Sequence, residues 1–421
     1  MPNFITLDND QLLSAQLKVV GVGGGGCNAI ESMMQKGLSG VEYVAINTDA
    51  QVLNNSSADH KVQIGINITR GLGAGADPEI GRKALEEDRE KIAKLLEGSD
   101  MVFITAGMGG GTGTGGAPLV ASIAKSLGIL VVGIVTKPFK WEGKRRMQNA
   151  EEGIQELRRS VDSLIVVPND RLLNILEDTI SARTAFDKPN EILYEATRGI
   201  ADIITITGII NVDFADVRSV MNSSGEALMG SGSASGENRA VEAAQKAISS
   251  PLLDGISIKG AKNILLNVTG SDNLTMQEIN EGNKIIYEAA GEEANVIFGW
   301  VSKEEMDDNV TYTVIATGFG NKDEYESKIV ANGEKVNNES ENKFAGYTVE
   351  NFTVPTEQEE LDTPTIFRVK GTNDIMKNKK SVPKSGFKLD QLDAFDGIET
   401  EEKDDEKKKK GGTSFLRMMM D

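Results

Sequence analysis

The sequence has one cysteine and one histidine in 421 residues. A single thiol, Cys27, cannot form an internal disulfide, and one imidazole beside it cannot complete a zinc site of the usual nitrogen and sulfur type. We therefore predict a protein of the reducing cytoplasm, with no metal ion held by its own side chains.

Basic residues are also scarce: 45 Lys and Arg stand against 64 Asp and Glu, for a formal net charge of -19. Binding of nucleic-acid phosphates needs clustered positive charge, so a nucleic-acid partner is not expected. No segment approaches the roughly 18 apolar residues of a membrane-spanning helix, and the N-terminus has no signal-peptide pattern. We expect no direct membrane insertion, and any membrane attachment should go through a partner.

Short apolar runs alternate with helix-like stretches over the first 180 residues: LKVVGV, VEYVAIN, KVQIG, MVFITAG, ILVVGIV and SLIVVPN. Continuous Val- and Ile-rich runs separated in this way are typical of a parallel sheet that is covered on both faces. The sequence therefore predicts an α/β fold, with an extension over residues 1–14 and a doubly wound parallel-sheet domain over 15–180.

A long, largely buried helix is predicted within residues 181–221, with Pro189 in its first turn. Its apolar residues recur every three or four positions: Ile192, Leu193, Ala196, Ile200, Ile203 and Ile204. A smaller α+β domain is predicted over 222–320, with strands in AKNILLNVTG, ANVIFGW and TYTVIATGF.

After Gly320 the composition changes to NKDEYESKIVANGEKVNNESENK, which is poor in large apolar residues. Such a segment buries too little surface to offset its chain entropy, so we predict a disordered linker over 321–360 and a disordered tail over 371–421. Between them, LDTPTIFRVK (361–370) is apolar and basic, and we interpret it as a docking peptide. The terminal SFLRMMMD is a rival docking segment.

Glycine is concentrated in three loops. GVGGGGCNA (21–29) and GMGGGTGTGG (107–116) each follow an apolar run, and RGLGAGADPEIG (70–81) precedes a helix for which Asp77 and Pro78 suit the cap and first turn. Free N–H groups and the positive dipole end of a helix N-terminus bind anions. Three such loops indicate a chain of phosphates, and the absence of GxxxxGK[ST] excludes a P-loop enzyme.

The first loop has a second interpretation. Gly21, Gly23 and Gly26 satisfy GxGxxG, and Asp49 ends the next predicted strand, as in dinucleotide-binding enzymes. An NAD-dependent oxidoreductase is therefore an alternative, although it has no candidate for hydride chemistry and leaves GGGTGTGG unused. The glycines of GLGAGA are also explained as simple turn residues.

NVDFADV (211–217) brings three polar side chains together: Asn211, Asp213 and Asp216. Either aspartate could simply cap a helix. Carboxylates beside a triphosphate of the same subunit would repel it unless a metal ion intervened. Carboxylates from another subunit would meet the phosphates only on contact.

Taken together, these segments closely resemble the tubulin/FtsZ family. GGGTGTGG is the family's signature, and the match runs in the family's order through GVGGGGCNA, AINTDAQVL, TRGLGAGADPEIG, VPNDRLL, NVDFADVRSVM and GENRAVEAAQKAISSPLL. The resemblance implies a GTPase that polymerises head to tail and forms the cytokinetic ring beneath the membrane at midcell. Its nucleotide would be GTP or GDP, with Mg2+ held mainly through the phosphates.

The resemblance also implies the nucleotide contacts. Glu142 and Arg146 are expected at the ribose, and Phe186 and Asn190 at the guanine together with Asn28. The candidate phosphate-binding residues lie in the glycine loops: Gly24, Gly25, Gly26, Cys27, Asn28, Gly73, Gly75, Gly110, Gly111, Thr112, Gly113 and Thr114. Asn190 stands where many relatives carry Asp, and Cys27 stands where Gly or Asn is common. A cysteine at a helix start near phosphate could be a reactive thiol, but we expect a small inert filler.

In the family, the loop equivalent to 211–217 completes the nucleotide site of the next subunit. We therefore assign Asp213 and Asp216 to activation of the attacking water, with Asn211 in support. If the two aspartates were only caps, the chain would be a GTP-bound filament scaffold that does not hydrolyse. DTPTIFR matches the spacing of the family's tail peptide, which docks on membrane-anchoring and regulatory division proteins.

Overall fold

The structure, a computed structural model, describes residues 15–173, 181–206, 208–210, 212–253 and 258–319. All of them fall within one structural unit. The predicted extension, linker, docking peptide and tail, and also Asn211, lie outside the described residues. Within the described ranges, no helix is both long enough and apolar enough to cross a membrane.

The strands join into one sheet, and their bounds are β1 Leu17–Val22, β2 Glu42–Asn47, β3 His60–Gln63, β4 Met101–Gly107, β5 Leu130–Lys137, β6 Ser163–Pro168, β7 Gly225–Ser235, β8 Asn263–Gly270, β9 Asn295–Ser302 and β10 Asn309–Thr317. Their order across the sheet is β3-β2-β1-β4-β5-β6-β7-β10-β8-β9. Pairing from β3 to β7 is parallel, β10 is antiparallel to both β7 and β8, and β9 is parallel to β8.

The helices of the described part are α1 Gly23–Gln35, α2 Ala50–Asn55, α3 Ile66–Thr69, α4 Pro78–Glu87, α5 Arg89–Leu96, α6 Thr112–Ser126, α7 Lys144–Ser160, α8 Asn169–Leu173, α9 Ala182–Thr205, α10 Phe214–Met221, α11 Arg239–Ile248 and α12 Met276–Ala290. Most of those in the first half connect one parallel strand to the next. This is the doubly wound α/β fold that the sequence predicts.

The parallel strands are buried on both faces because their side chains alternate between two cores. Val19 and Phe103 pack with Ile200 of α9 on one face. Val20 and Ile104 pack on the opposite face, with α4, α6 and α7. The six apolar runs of the sequence are thus confirmed as β1 to β6, and both faces need apolar residues in all of them except the partly exposed edge strand β3.

The long helix is confirmed as α9, but the position predicted for Pro189 within it is wrong. Ser181 caps the helix, and its hydroxyl accepts the Thr184 N–H at 3.2 Å. Pro189 therefore lies inside α9, two turns after its start. The sequence prediction failed because a serine cap further upstream set the helix start, and tertiary packing of the turns after Pro189 keeps the helix continuous.

The second half contains the three predicted strands as β8, β9 and β10, and one strand that the sequence did not predict. That strand, β7, has the sequence GEALMGSGSAS, in which glycine and serine are typical of a loop. The glycines are needed because α11 lies directly on the strand. A Cβ atom at Gly230 would lie 2.1 Å from the Ala247 carbonyl oxygen, and one at Gly232 would lie 2.3 Å from that of Ala243. The boundaries of the two domains remain predictions.

Candidate functional site

Two helices begin side by side at the carboxyl edge of the parallel strands. Helix α1 follows β1, helix α6 begins just after β4, and these strands are neighbours with Val22 opposite Ala106. Neither N-cap residue, Val22 or Gly111, has a side chain that bonds to the first turn. Both helices therefore present backbone N–H donors and the positive ends of their dipoles at the same edge, as an anion site requires.

The glycine loops at this edge touch each other backbone to backbone. Gly23 has φ +74°, and a Cβ atom there would lie 2.7 Å from the amide nitrogen of Gly113. A Cβ atom at Gly25 would lie 2.9 Å from the nitrogen of Gly107. Glycine is thus required at these positions by loop packing as well as by access for a ligand.

The third loop, 70–77, supports the second one from outside. Asp77 caps α4, accepting the Glu79 N–H at 3.0 Å, and Pro78 is the first helical residue, as predicted. Gly73 and Gly75 have φ of +86° and +61°. Positive φ explains them as turn residues, and their contact with a phosphate remains a prediction.

The two threonines of GGGTGTGG turn their hydroxyls into the protein. Thr112 Oγ1 lies 2.7 Å from Thr48 Oγ1, and Thr114 Oγ1 accepts the Gly109 N–H at 2.8 Å. Both threonines are buried. Their hydroxyls fix the loop's shape, and the main-chain N–H groups of the loop are left as the natural donors to a phosphate.

Next to these loops is a cleft that gathers many of the predicted residues: Gly25, Asn28, Gly110, Glu142, Arg146, Phe186 and Asn190. Glu142 ends a 3₁₀ turn and Arg146 lies in the first turn of α7. Their side chains form an ion pair, with 3.1 Å between Arg146 Nε and Glu142 Oε2. Charged donors and acceptors on one wall suit the hydroxyls of a sugar.

An aromatic cluster borders this cleft. Phe139 and Trp141 stack with centroids 5.3 Å apart, and Phe186 meets them edge-on at 5.7 and 5.8 Å. Phe139 is buried, whereas Trp141 is 65% exposed. Held in this way, Phe186 offers a rigid apolar surface to a flat base.

Sequence reasoning missed Asn169, which also lines the cleft. It is 9% exposed, and its Oδ1 has no hydrogen-bond partner within the part of the chain that the structure describes. Asn169 begins α8 directly after β6, so it lies at the edge where the other parallel strands end. That position, in the VPNDRLL segment, was the signal that could have revealed it.

Cys27 lies in α1 with its side chain in the core rather than in the cleft. It is 3% exposed, and its Sγ lies 4.0 Å from the Ile46 carbonyl oxygen. Burial raises the pKa of the thiol to about 12. The side chain is therefore a neutral filler, and only its main chain is available to a phosphate.

Asp213 and Asp216 stand at the start of α10, and both are exposed. Asp213 occupies the N-cap position, but its side chain accepts no capping hydrogen bond. Neither carboxylate forms an ion pair or hydrogen bond with another residue that the structure describes. The interpretation of Asp213 as a simple cap is therefore not supported by the geometry.

The loop that carries these carboxylates lies on the other side of the domain from the cleft. Asn190 of α9 lines the cleft, and fifteen residues later Thr205 ends the helix against Gly40, which precedes β2. At the helical rise of 1.5 Å per residue, the two ends are about 22 Å apart. Arg218 of α10 donates to the Gly128 carbonyl at 3.2 Å, just before β5 begins, which also places α10 at the amino edge of the strands.

Comparison with known proteins settles the family. Residues 16–177 match the GTPase domain of the tubulin/FtsZ family, and residues 225–320 match the C-terminal domain of the FtsZ family. The chain belongs to the tubulin/FtsZ family. Its GTPase domain identifies the nucleotide as GTP and the activity as GTP hydrolysis, which leaves the NAD-dependent alternative without support.

Solved FtsZ structures have the same fold. An FtsZ dimer from M. jannaschii is 44% identical with a TM-score of 0.70, covering 73% of this chain and 89% of that one. A single-substitution mutant of FtsZ from the same organism is also 44% identical with a TM-score of 0.70, and the match covers 73% of this chain and 92% of that one. A CetZ protein from Haloferax volcanii, solved as a GTPγS-bound protofilament, is 23% identical with a TM-score of 0.63, covering 76% and 98%, and shows the fold alone.

Proposed function

We propose that this chain polymerises head to tail and that its GTPase site is shared between subunits. The cleft with its two helix N-termini would bind GTP in one subunit. Asp213 and Asp216 of the next subunit would complete the site. The observation that carries this proposal is that the cleft lies at the carboxyl edge of the parallel strands, whereas the helix that begins at Asp213 lies at their amino edge.

Each half-site suits its share of the reaction. Phosphoryl transfer needs positioning and charge stabilisation more than covalent chemistry. The N-termini of α1 and α6 would hold the phosphates, and the exposed carboxylates of Asp213 and Asp216 would accept hydrogen bonds from the attacking water and orient it. Asn211 stays assigned to their support.

Mg2+ fits this site as an ion bound through the phosphates. In the described ranges, no three His, Cys, Asp or Glu side chains are grouped as a metal site. The ion would supply positive charge against the phosphate oxygens. The side chains of the chain would then need only to place the nucleotide and the water.

Exposed apolar residues flank both half-sites. Leu72 is 77% exposed and bridges to Asp49 beside the phosphate loops, and Ile66 nearby is 50% exposed. Ile209 and Ile210, just before the aspartates, are 60% and 37% exposed. An end-to-end contact would cover both groups at once, and because such a contact is heterologous it grows into a filament.

We also propose where the filament acts in the cell and what it binds. We assign the filament to the cytokinetic ring in the cytoplasm beneath the membrane at midcell, and the segment 361–370 to docking on membrane-anchoring and regulatory division proteins. The family membership supports the assignment to the ring, and the spacing of DTPTIFR in the sequence supports the docking role. The docking segment lies outside the described residues.

Turnover of GTP measured against protein concentration, with Mg2+ present and light scattering recorded in parallel, tests the shared site. We expect turnover per molecule to rise from near zero above the concentration at which scattering appears. Turnover per molecule that is constant from the lowest concentration would contradict the proposal. Scattering without phosphate release would instead favour the filament scaffold.

A further inference from the structure

The loop that carries Asp213 runs along the edge of the sheet rather than standing free. Strand β9 is the last strand of the sheet on that side. Ile210 forms an antiparallel bridge with Trp300 of β9, in which the Trp300 N–H donates to the Ile210 carbonyl at 3.2 Å. The loop is therefore paired with the exposed edge of β9 at this bridge.

The approach of the loop to β9 is close enough to require glycine. A Cβ atom at Gly208 would lie 2.2 Å from the Trp300 carbonyl oxygen and 3.1 Å from its carbon. On the other side of the contact, Gly299 faces Val212, and a Cβ atom there would lie 3.3 Å from Val212 Cγ2. Any side chain at Gly208 must push the loop off β9, whereas one at Gly299 needs a shift of only a few tenths of an ångström.

An ion pair attaches the start of the loop to the end of the same strand. Asp202, in the last turn of α9, is 3% exposed and lies 2.6 Å from Nζ of Lys303, the residue after β9. Arg198 also donates to Asp202, at 3.0 Å. The position of Lys303 is fixed in turn, because its N–H donates to the Gly270 carbonyl at 2.8 Å. The end of α9 and Ile210 of the loop are thus both attached to β9 or to the residue that follows it.

We propose that β9 positions the aspartates for hydrolysis, and that Gly208 and Lys303 are positioning residues for the reaction in the neighbouring subunit. The inference rests on the proposed function, in which Asp213 acts on the neighbour's GTP. A water-orienting group must be placed to within a fraction of an ångström, and a shift of about 1 Å costs on the order of a hundredfold in rate. A loop that is attached to a sheet strand can be placed with that precision, whereas a loop exposed to solvent on all sides cannot.

The test uses the full chain with Gly208→Ala and, separately, Lys303→Met. Phosphate release is measured in filaments assembled beforehand, together with GTP affinity, sedimented polymer and the melting temperature. We expect Gly208→Ala to lower kcat about 10- to 100-fold and Lys303→Met to lower it about threefold, while GTP affinity changes less than about twofold. Lys303→Arg, which keeps the ion pair, should restore the rate.

Two comparisons separate the possible outcomes. Gly299→Ala makes the same chemical change on the opposite side of the contact, and because its methyl group would displace the loop much less, its loss of kcat should be clearly smaller than that of Gly208→Ala. If Gly208→Ala lowers GTP affinity, the amount of sedimented polymer and kcat to the same extent, Gly208 has only a structural role and the inference is overturned. An unchanged kcat in Gly208→Ala would also overturn it. Asp213→Asn serves as the reference: if it too leaves kcat unchanged, the proposed function itself fails.

Discussion

Arg146 Nε lies 3.1 Å from Glu142 Oε2 on the wall of the cleft that we propose to bind GTP. The other carboxylate oxygen of Glu142 accepts the Phe139 N–H at 2.7 Å. Glu142 is thereby anchored to the turn that carries Phe139 and Trp141, and its carboxylate forms an ion pair with the guanidinium of Arg146. We expect a nucleotide that enters the cleft to meet this charged pair already in place.

Arg146→Ala is expected to weaken GTP and GDP binding about 10- to 100-fold, because a hydrogen bond to a charged group contributes about 1.5 to 3 kcal/mol. Equilibrium binding of a fluorescent guanine nucleotide below the assembly threshold measures the change. Arg145→Ala is the matched control, since Arg145 is exposed on the same helix and does not line the cleft. Equal effects of the two substitutions would remove Arg146 from the site.

Asp213→Ala is expected to leave GTP affinity within about twofold and to reduce turnover at least a hundredfold, since loss of a water-orienting group affects the chemical step. Binding and phosphate release are measured on the same preparation. Glu288→Gln neutralises an exposed carboxylate on α12 and should leave both quantities unchanged. A large loss of affinity in Asp213→Ala would place the residue in its own subunit's site.

Leu72→Glu is expected to raise the assembly threshold at least tenfold with little change in GTP affinity. The substitution puts a charge where we propose an apolar contact between subunits, and burying an unpaired charge is unfavourable by several kcal/mol. Sedimentation over a concentration series measures the threshold. Tyr287→Glu, at a 45% exposed position on α12, is the control, and an equal effect there would show only a general response to added charge.

Acid should destabilise the second half of the protein through Glu278. Arg239 donates to Glu278 at 2.8 Å, and this bond lowers the pKa of the carboxyl from 4.5 to about 2. A folded-state pKa below the unfolded value means that the stabilisation is fully present above about pH 4.5 and is lost as pH falls towards 2. Urea unfolding should therefore show a difference in the free energy of unfolding between the unsubstituted chain and Glu278→Gln, and this difference should become smaller from pH 6 to pH 3. A difference in unfolding free energy that does not change with pH would contradict the lowered pKa of Glu278.

Deletion of 361–370 is expected to spare assembly and GTP turnover and to abolish binding to a membrane-anchoring partner. The reason is that none of the residues assigned to the two proposed half-sites is removed by this deletion. Co-sedimentation of the deleted and full chains with a purified anchor measures this. Deletion of an equal length within 371–421 is the control, and loss of binding there alone would assign docking to SFLRMMMD.

The sequence predicted the parallel half of the fold because β1, β2, β4, β5 and β6 are largely apolar runs, the pattern that two buried faces impose, although the edge strand β3 is partly exposed. It missed β7 because Gly230 and Gly232 look like loop residues, and the helix that requires them is distant in sequence. It located the cleft residues through resemblance, but Asn169 was missed. No sequence pattern shows that the hydroxyls of Thr112 and Thr114 turn inward, since their partners depend on tertiary structure.

The most direct measurement of the central claim is GTP turnover by an equimolar mixture of Asp213→Ala and Leu72→Glu chains. The first chain keeps the cleft and the apolar contact surface at Leu72, and the second keeps the proposed catalytic aspartates, so together they can form a complete interface that neither forms with itself. The account predicts little turnover from either chain alone and turnover in the mixture well above their sum. Turnover by Leu72→Glu alone at the rate of the unsubstituted chain, or a mixture equal to the sum, would contradict a site shared between subunits.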